Sequence, residues 1–163
     1  MSESPEVHVM DNPEYVDFHL VLDSGAAEHV VDNVDTPGYE IQESPGSKAG
    51  SCFVAANGER IPNRGEVKLD MKAGNVPICS TFQVSKISKP LWSVGKLCDA
   101  GYRVEFQKGL ATVTHESTGK VVSTFPRQQG LYVGKLQLRC QPAHTSFPRP
   151  TRTNQDGAWD RLL

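Results

Sequence analysis

Long apolar runs, paired cysteines, an excess of either charge and helical periodicity are all missing from this chain or scarce in it. No stretch approaches the length of a membrane-spanning helix. The acidic start, Met1-Ser2-Glu3-Ser4-Pro5-Glu6, lacks the apolar core of a secretory signal. Cys52, Cys79, Cys98 and Cys140 are widely separated and form no Cys-x-x-Cys pair. That spacing argues against a disulfide framework or a zinc ribbon and predicts buried thiols in a reducing compartment. The 17 basic residues face 19 acidic ones, so no overall field draws nucleic acid. Arg139, Arg149, Arg152 and Arg161 are scattered without aromatic interleaving, and nucleic-acid binding through this domain is not expected. Internal repeats and low-complexity blocks are also lacking. The expectation is an intracellular, cytoplasmic protein, neither secreted nor membrane-bound.

With 163 residues the chain is long enough for one domain with a real core. Fourteen glycines and eleven prolines among few helix-periodic stretches point to an all-β fold. Residues 1–14 read as a flexible N-terminus and 139–163, with Pro142, Pro148 and Pro150, as a disordered tail. Between them the pattern predicts a strand at 17–22, a strand or short helical turn at 26–31, and a surface loop at 32–50 rich in Asp, Glu, Pro, Gly and Ser. Ser51 to Ala56, the pair Asn57-Gly58 and Glu59 to Ile61 predict a hairpin with a type I′ turn. Pro62 and Gly65 interrupt its return strand, which predicts a bent, partly exposed ribbon. Val67 to Met71 alternates with period two, and Val76 to Val84 reads as its hairpin partner. One short helix is predicted over Leu91–Gly101. Ser93 would cap it, Val94, Leu97 and Cys98 would share its buried face, and Gly101 would end it. Beyond it come short strands at 102–106, 111–115, 121–125 and 131–138.

Chemistry concentrates in residues 18–31. The apolar run Leu20-Val21-Leu22 ends abruptly in Asp23-Ser24-Gly25. A carboxylate at the end of a buried strand is costly unless compensated. Ser24 can donate a hydrogen bond near it, and Gly25 permits a tight turn directly after it. The tripeptide alone also marks ordinary β-turns; the apolar lead-in and the downstream features favour a reactive carboxylate. Two carboxylates about 3 Å apart cannot both ionise, so such a pair supplies one base and one acid. Asp-Ser/Thr-Gly occurs once here, and Asp156-Gly157 lacks both the intervening hydroxyl and the apolar lead-in. A dyad therefore requires a two-fold axis and a homodimer.

Four segments in order carry a family resemblance: Leu22-Asp23-Ser24-Gly25-Ala26-Ala27-Glu28-His29; Val54 to Gly58 with Ile61-Pro62 and Gly65 to Leu69; Leu91-Trp92-Ser93-Val94-Gly95-Lys96-Leu97; and Gly101 to Phe106 with Gly130 to Leu136. Over about residues 17–138 the chain resembles the protease segment of a copia-type retrotransposon polyprotein, a retropepsin-like aspartic protease. Trp92 and Gly95 are mild departures from the family pattern. The resemblance implies a retropepsin-like closed β-barrel, half of an acid protease, over 15–138, with 101–138 as extra C-terminal β-hairpins. It implies Asp23 as the catalytic residue, Ser24 and Gly25 as support for its turn, and Ala56, Asn57, Gly58 and Glu59 as a flap over substrate. The implied substrate is the element's own polyprotein, bound as an extended peptide, with no metal or organic cofactor.

His29, close to Asp23, reads as a hydrogen-bonded structural histidine rather than a catalytic one. Trp92 reads as core or interface. Cys140 and His144 make a poor metal site, since two residues in a Pro-rich segment are too few. The alternative function is a catalytically inactive β module retained for dimerisation or peptide binding.

Overall fold

The computed structural model describes residues 14–55 and 57–141. In chain order its elements are β1 (Tyr15–Asp23), β2 (Val30–Val31), a 3₁₀ turn (Asn33–Asp35), α1 (Pro45–Lys48), β3 (Cys52–Val54) and β4 (Arg60–Pro62). There follow β5 (Gly65–Ala73), β6 (Val76–Val84), β7 (Leu91–Ser93), α2 (Val94–Asp99), β8 (Tyr102–Phe106), β9 (Leu110–His115), β10 (Val121–Gln128) and β11 (Leu131–Arg139). The protein is all-β. No helix among the described residues is long and apolar enough to cross a membrane.

Period-two patterning builds the sheet. In β5, Gly65, Val67, Leu69, Met71 and Ala73 are buried, while the intervening Glu66, Lys68, Asp70 and Lys72 are not. Ala73 pairs with Val76, leaving the two-residue turn Gly74-Asn75, where Gly74 adopts φ +61°. Pairings run β1–β7–β2–β6–β5–β11, and β11 returns to β1, so these six strands close a barrel. Closure removes the free edges of those strands. Trp92, Phe82, Leu20, Leu69, Met71 and Leu136 fill the interior. Strands β10, β9 and β8 continue outward from β11, and β3 with β4 forms a separate two-stranded sheet.

β11 pairs with β1 from Tyr15↔Arg139 to Val21↔Val133. The segment 101–138, expected as an appendage, thus supplies a barrel strand. Gly134, opposite Leu20, is required by packing: a Cβ there would collide with the Phe125 ring that lies across β11. At Gly65 the reason is conformational as well, since φ is +130° and a Cβ would run into the Gln42 carbonyl.

Several expectations are corrected. Leu91–Ser93 is a strand, not the first turn of the helix, because its backbone pairs with both β1 and β2 and Trp92 is buried there. On α2 only Leu97 is fully buried, and Cys98 is exposed. Cys52 and Cys79 are exposed too, and Cys140 is half-buried, so the thiols are not core residues. Their positions explain this: Cys52 opens the projecting hairpin, and Cys79 follows buried Ile78 on the outward face of β6. The loop 32–50 carries local order. Asp32 caps the 3₁₀ turn, Ser44 and Ser47 form a capping box on α1, and Asp32, Thr36 and Ser44 are buried. Glu14 and residues 139–141, expected within the flexible N-terminus and the disordered tail, are among the described residues. Arg139 belongs to β11, and the Cys140 N–H donates to the Glu14 carbonyl at 2.8 Å. The remaining expectations for 1–13 and 142–163, including His144, Arg149, Arg152 and Arg161, lie outside the described residues.

Candidate functional site

Asp23 is the last residue of β1 and is half-buried. Strand β7 runs parallel to β1, with Leu22↔Trp92 and Asp23↔Ser93, and antiparallel to β2 through Val30↔Leu91. The two strands joined by the Asp23 turn therefore admit a third strand between them. That insertion holds the turn at a junction of three strands.

The carboxylate's partner differs from the expected one. Asp23 Oδ1 accepts the Gly25 N–H at 2.8 Å, whereas Ser24 is exposed and its hydroxyl has no bond to the carboxylate. Gly25 avoids the left-handed region, and a Cβ there would lie 3.4 Å from Asp23 Oδ1, an ordinary contact. Its contribution within one chain is the backbone donor rather than conformational freedom.

Ser93, completely buried, clasps the site from behind. Its hydroxyl donates to the Ala26 carbonyl at 2.7 Å and accepts the Lys96 N–H at 3.1 Å, capping α2. Its own N–H donates to His29 Nδ1 at 3.0 Å. His29 is buried against Phe82, with ring centroids 5.1 Å apart, and beside Trp92 at 6.3 Å. An Nδ1 that accepts a backbone N–H belongs to a neutral ring with its proton on Nε2. Burial, aided by the Lys96 charge, lowers the His29 pKa to about 4. Lys96 in turn sits 3.5 Å from Glu28, across a half-exposed ion pair. The structural reading of His29 holds. Sequence reasoning recognised Ser93 as a cap but missed its bond to Ala26, because the two are 67 residues apart. Replacing Ser93 with Ala removes the cap and the Ala26 bond together. It is expected to lower unfolding free energy by about 1–2 kcal/mol, read from a urea titration.

The hairpin β3–β4 pairs Cys52↔Pro62, Phe53↔Ile61 and Val54↔Arg60. At its tip the Ala55 N–H donates to Glu59 O at 2.8 Å, and the Gly58 N–H donates to Ala55 O at 2.9 Å. These bonds enclose a three-residue loop with Gly58 at φ +87°, the bulged turn that replaces the expected two-residue type I′. The local reason is Asn57, whose Oδ1 accepts the Glu59 N–H at 2.9 Å. Asn57, Gly58 and Glu59 are exposed; Ala56 lies outside the described residues. Val54 is 69% exposed, as befits a hairpin projecting from the barrel. Ser85 links the hairpin base to the strand that follows the Asp23 turn: its hydroxyl donates to Pro62 O at 2.8 Å and its N–H to Val31 O at 3.0 Å.

A separate concavity of about 270 Å³ is lined by Tyr39, Gln42, Glu66, Lys68, Asp70 and Gln141 among others, and by neither Asp23 nor the hairpin. The Tyr39 hydroxyl donates to Arg139 O at 2.6 Å, and burial raises its pKa. Arg139 pairs with Asp70 at 3.2 Å. Among the described residues no group of three or more His, Cys, Asp or Glu side chains is placed to hold a metal. No family model, no curated protein and no solved structure matches this chain.

Proposed function

We propose that this domain is a homodimeric aspartic endopeptidase, similar to the retropepsin-like proteases of copia-type retrotransposons, with Asp23 of each copy sharing one proton. The observation that carries the reading is the half-buried Asp23 at the end of β1, in a turn gripped by an inserted strand and by Ser93. A closed barrel with a projecting hairpin tied to the same region through Ser85 supports it.

In this reading one Asp23 removes a proton from a water while its symmetry mate protonates the scissile carbonyl oxygen. The hairpin tip, Asn57 to Glu59, closes over an extended peptide and pairs with its backbone. Neither step calls on a metal or an organic cofactor. The substrate is a polyprotein segment of the parent element.

Peptide-library cleavage measured across a dilution series tests the proposal. A shared dyad makes activity per mole fall on dilution, because dissociation separates the two carboxylates. Constant specific activity from a strict monomer overturns it. A second reading, a non-catalytic β module, is favoured by one observation: the 270 Å³ concavity lies at Glu66 and Asp70 rather than at Asp23. Absence of cleavage between about pH 4 and pH 8 by the dimeric protein would establish that reading.

A further inference from the structure

β8 is the last strand of the nine-stranded sheet, and among the described residues no strand pairs with its outer side. Its ladder phase follows from three flanking bonds. The Gln107 N–H donates to Leu110 O, the Glu116 N–H donates to Gly101 O, and the His115 N–H turns away from β8 to Lys120 O on the β10 side. An antiparallel ladder alternates, so the backbone groups of Arg103 and Glu105 face β9. Those of Tyr102, Val104 and Phe106 face outward.

Exposed edges are ordinarily blunted by prolines, bulges, charged side chains or a covering element. β8 has no proline and no bulge. Its pairing with β9 is unbroken from Tyr102↔His115 to Phe106↔Ala111. Its two charges are of opposite sign, Arg103 Nε lying 3.6 Å from Glu105 Oε2 on an exposed face. Tyr-Arg-Val-Glu-Phe is thus self-complementary about its centre. In an antiparallel two-fold pairing on Val104, Val104 opposes the second copy's Val104, Arg103 opposes Glu105, and Tyr102 opposes Phe106. Opposite charges directly across a strand pair are stabilising, and like charges are not. Phe106, 44% exposed, gains a cross-strand aromatic partner.

We propose that β8 is a docking edge for a second copy of this chain, joined antiparallel about Val104 into one continuous sheet. This interface is separate from the pairing about Asp23 and stands whether or not the domain cleaves peptides.

Amide exchange of the intact chain followed by NMR at about 10 µM and about 1 mM isolates this edge from any other interface. The Val104 and Phe106 amides are expected to slow about tenfold at the higher concentration, while the amides of residues 103 and 105, already bonded to β9, report the fold and stay constant. Arg103→Glu alone and Glu105→Arg alone place like charges opposite each other and abolish the concentration dependence. An equimolar mixture of the two restores it. Val104→Pro, which removes an outward-facing donor, also abolishes it, and unchanged exchange at residues 103 and 105 shows that β8 still pairs with β9. Wild-type exchange independent of concentration overturns the proposal, as do reversal variants that behave like wild type. Association about Asp23 would persist in all three variants, so the two readings fail separately.

Discussion

If the proposed protease reading is right, Asp23→Asn is expected to abolish peptide cleavage and to leave the fold intact. The amide oxygen of Asn can still accept the Gly25 N–H that Asp23 Oδ1 accepts at 2.8 Å, so the turn keeps its one local bond. The ionisable proton is lost. A dyad works by moving that proton between water, carboxylate and carbonyl oxygen, and general acid–base catalysis of this kind contributes about 10²–10⁴-fold. The expected fall in kcat/KM is on the order of 10³-fold or more, because both halves of a symmetric pair are changed at once. A peptide mimic carrying a tetrahedral hydroxyl should inhibit the wild type, since it resembles the hydrated carbonyl of the transition state. Cleavage rates and thermal unfolding of the two proteins make the comparison. An Asn variant that cleaves as fast as wild type removes Asp23 from the chemistry.

Acidification through the His29 titration is expected to weaken the fold, and His29→Asn is expected to remove most of that slope. In the folded chain the ring is buried and neutral, with a pKa lowered to about 4 from 6.5 by burial first and Lys96 second. The Lys96 charge is itself paired with Glu28 at 3.5 Å, and the elements about the ring also carry Asp17 and Asp23 on β1, Asp32 just after β2 and Asp99 on α2. An unfolded chain protonates His29 near pH 6.5; the folded one resists down to about 4. Between those values the unfolded state binds more protons, so stability falls as pH falls and recovers as it rises. The full gap corresponds to on the order of 3 kcal/mol. Protonation of Nδ1 would also eliminate the acceptor for the Ser93 N–H, 3.0 Å away, and loosen the clasp on the Asp23 turn. Asp35 opposes this trend: burial first and Asp32 second raise its pKa, so it favours the folded state as pH falls. Urea midpoints at about pH 7, 5 and 4 measure the effect. Asn keeps an acceptor for Ser93 but cannot titrate, so its curve should be lower at neutral pH and flatter below it. Equal slopes for the two proteins would dissociate the acid sensitivity from His29.

The strands were legible because their cues are local. Alternation over 67–71, the Gly74-Asn75 turn and the glycines at 101, 119 and 130 separate the same elements in sequence and in space. Ser93 announced itself as a cap for the same reason: its bond to the Lys96 N–H spans three residues. Leu91–Ser93 misled because a short apolar run before a cap reads equally as helix or strand. Only its neighbours β1 and β2 settle which. The cysteines misled because burial follows the face a residue occupies, and a single Cys has no period to reveal its face.

Within the candidate site the division is similar. Asp23 at a strand end, and a hairpin around Asn57-Gly58, follow from apolar patterning and turn chemistry in their own neighbourhoods. The carboxylate's actual donor, Gly25 rather than Ser24, was not readable, since side-chain hydroxyl and backbone N–H compete within a few ångströms.

By itself the sequence determined the all-β class, the succession of strands and turns, and the place of Asp23 at the end of an apolar strand. Each of these is a local free-energy preference, expressed over a few residues whatever surrounds them. Tertiary structure alone decided that β7 enters between β1 and β2, that β11 closes the barrel onto β1, and that Ser93 reaches Ala26 and His29. Those outcomes join residues many tens of positions apart. They arise because the buried faces of the strands can be covered, and their edges satisfied, only by one another.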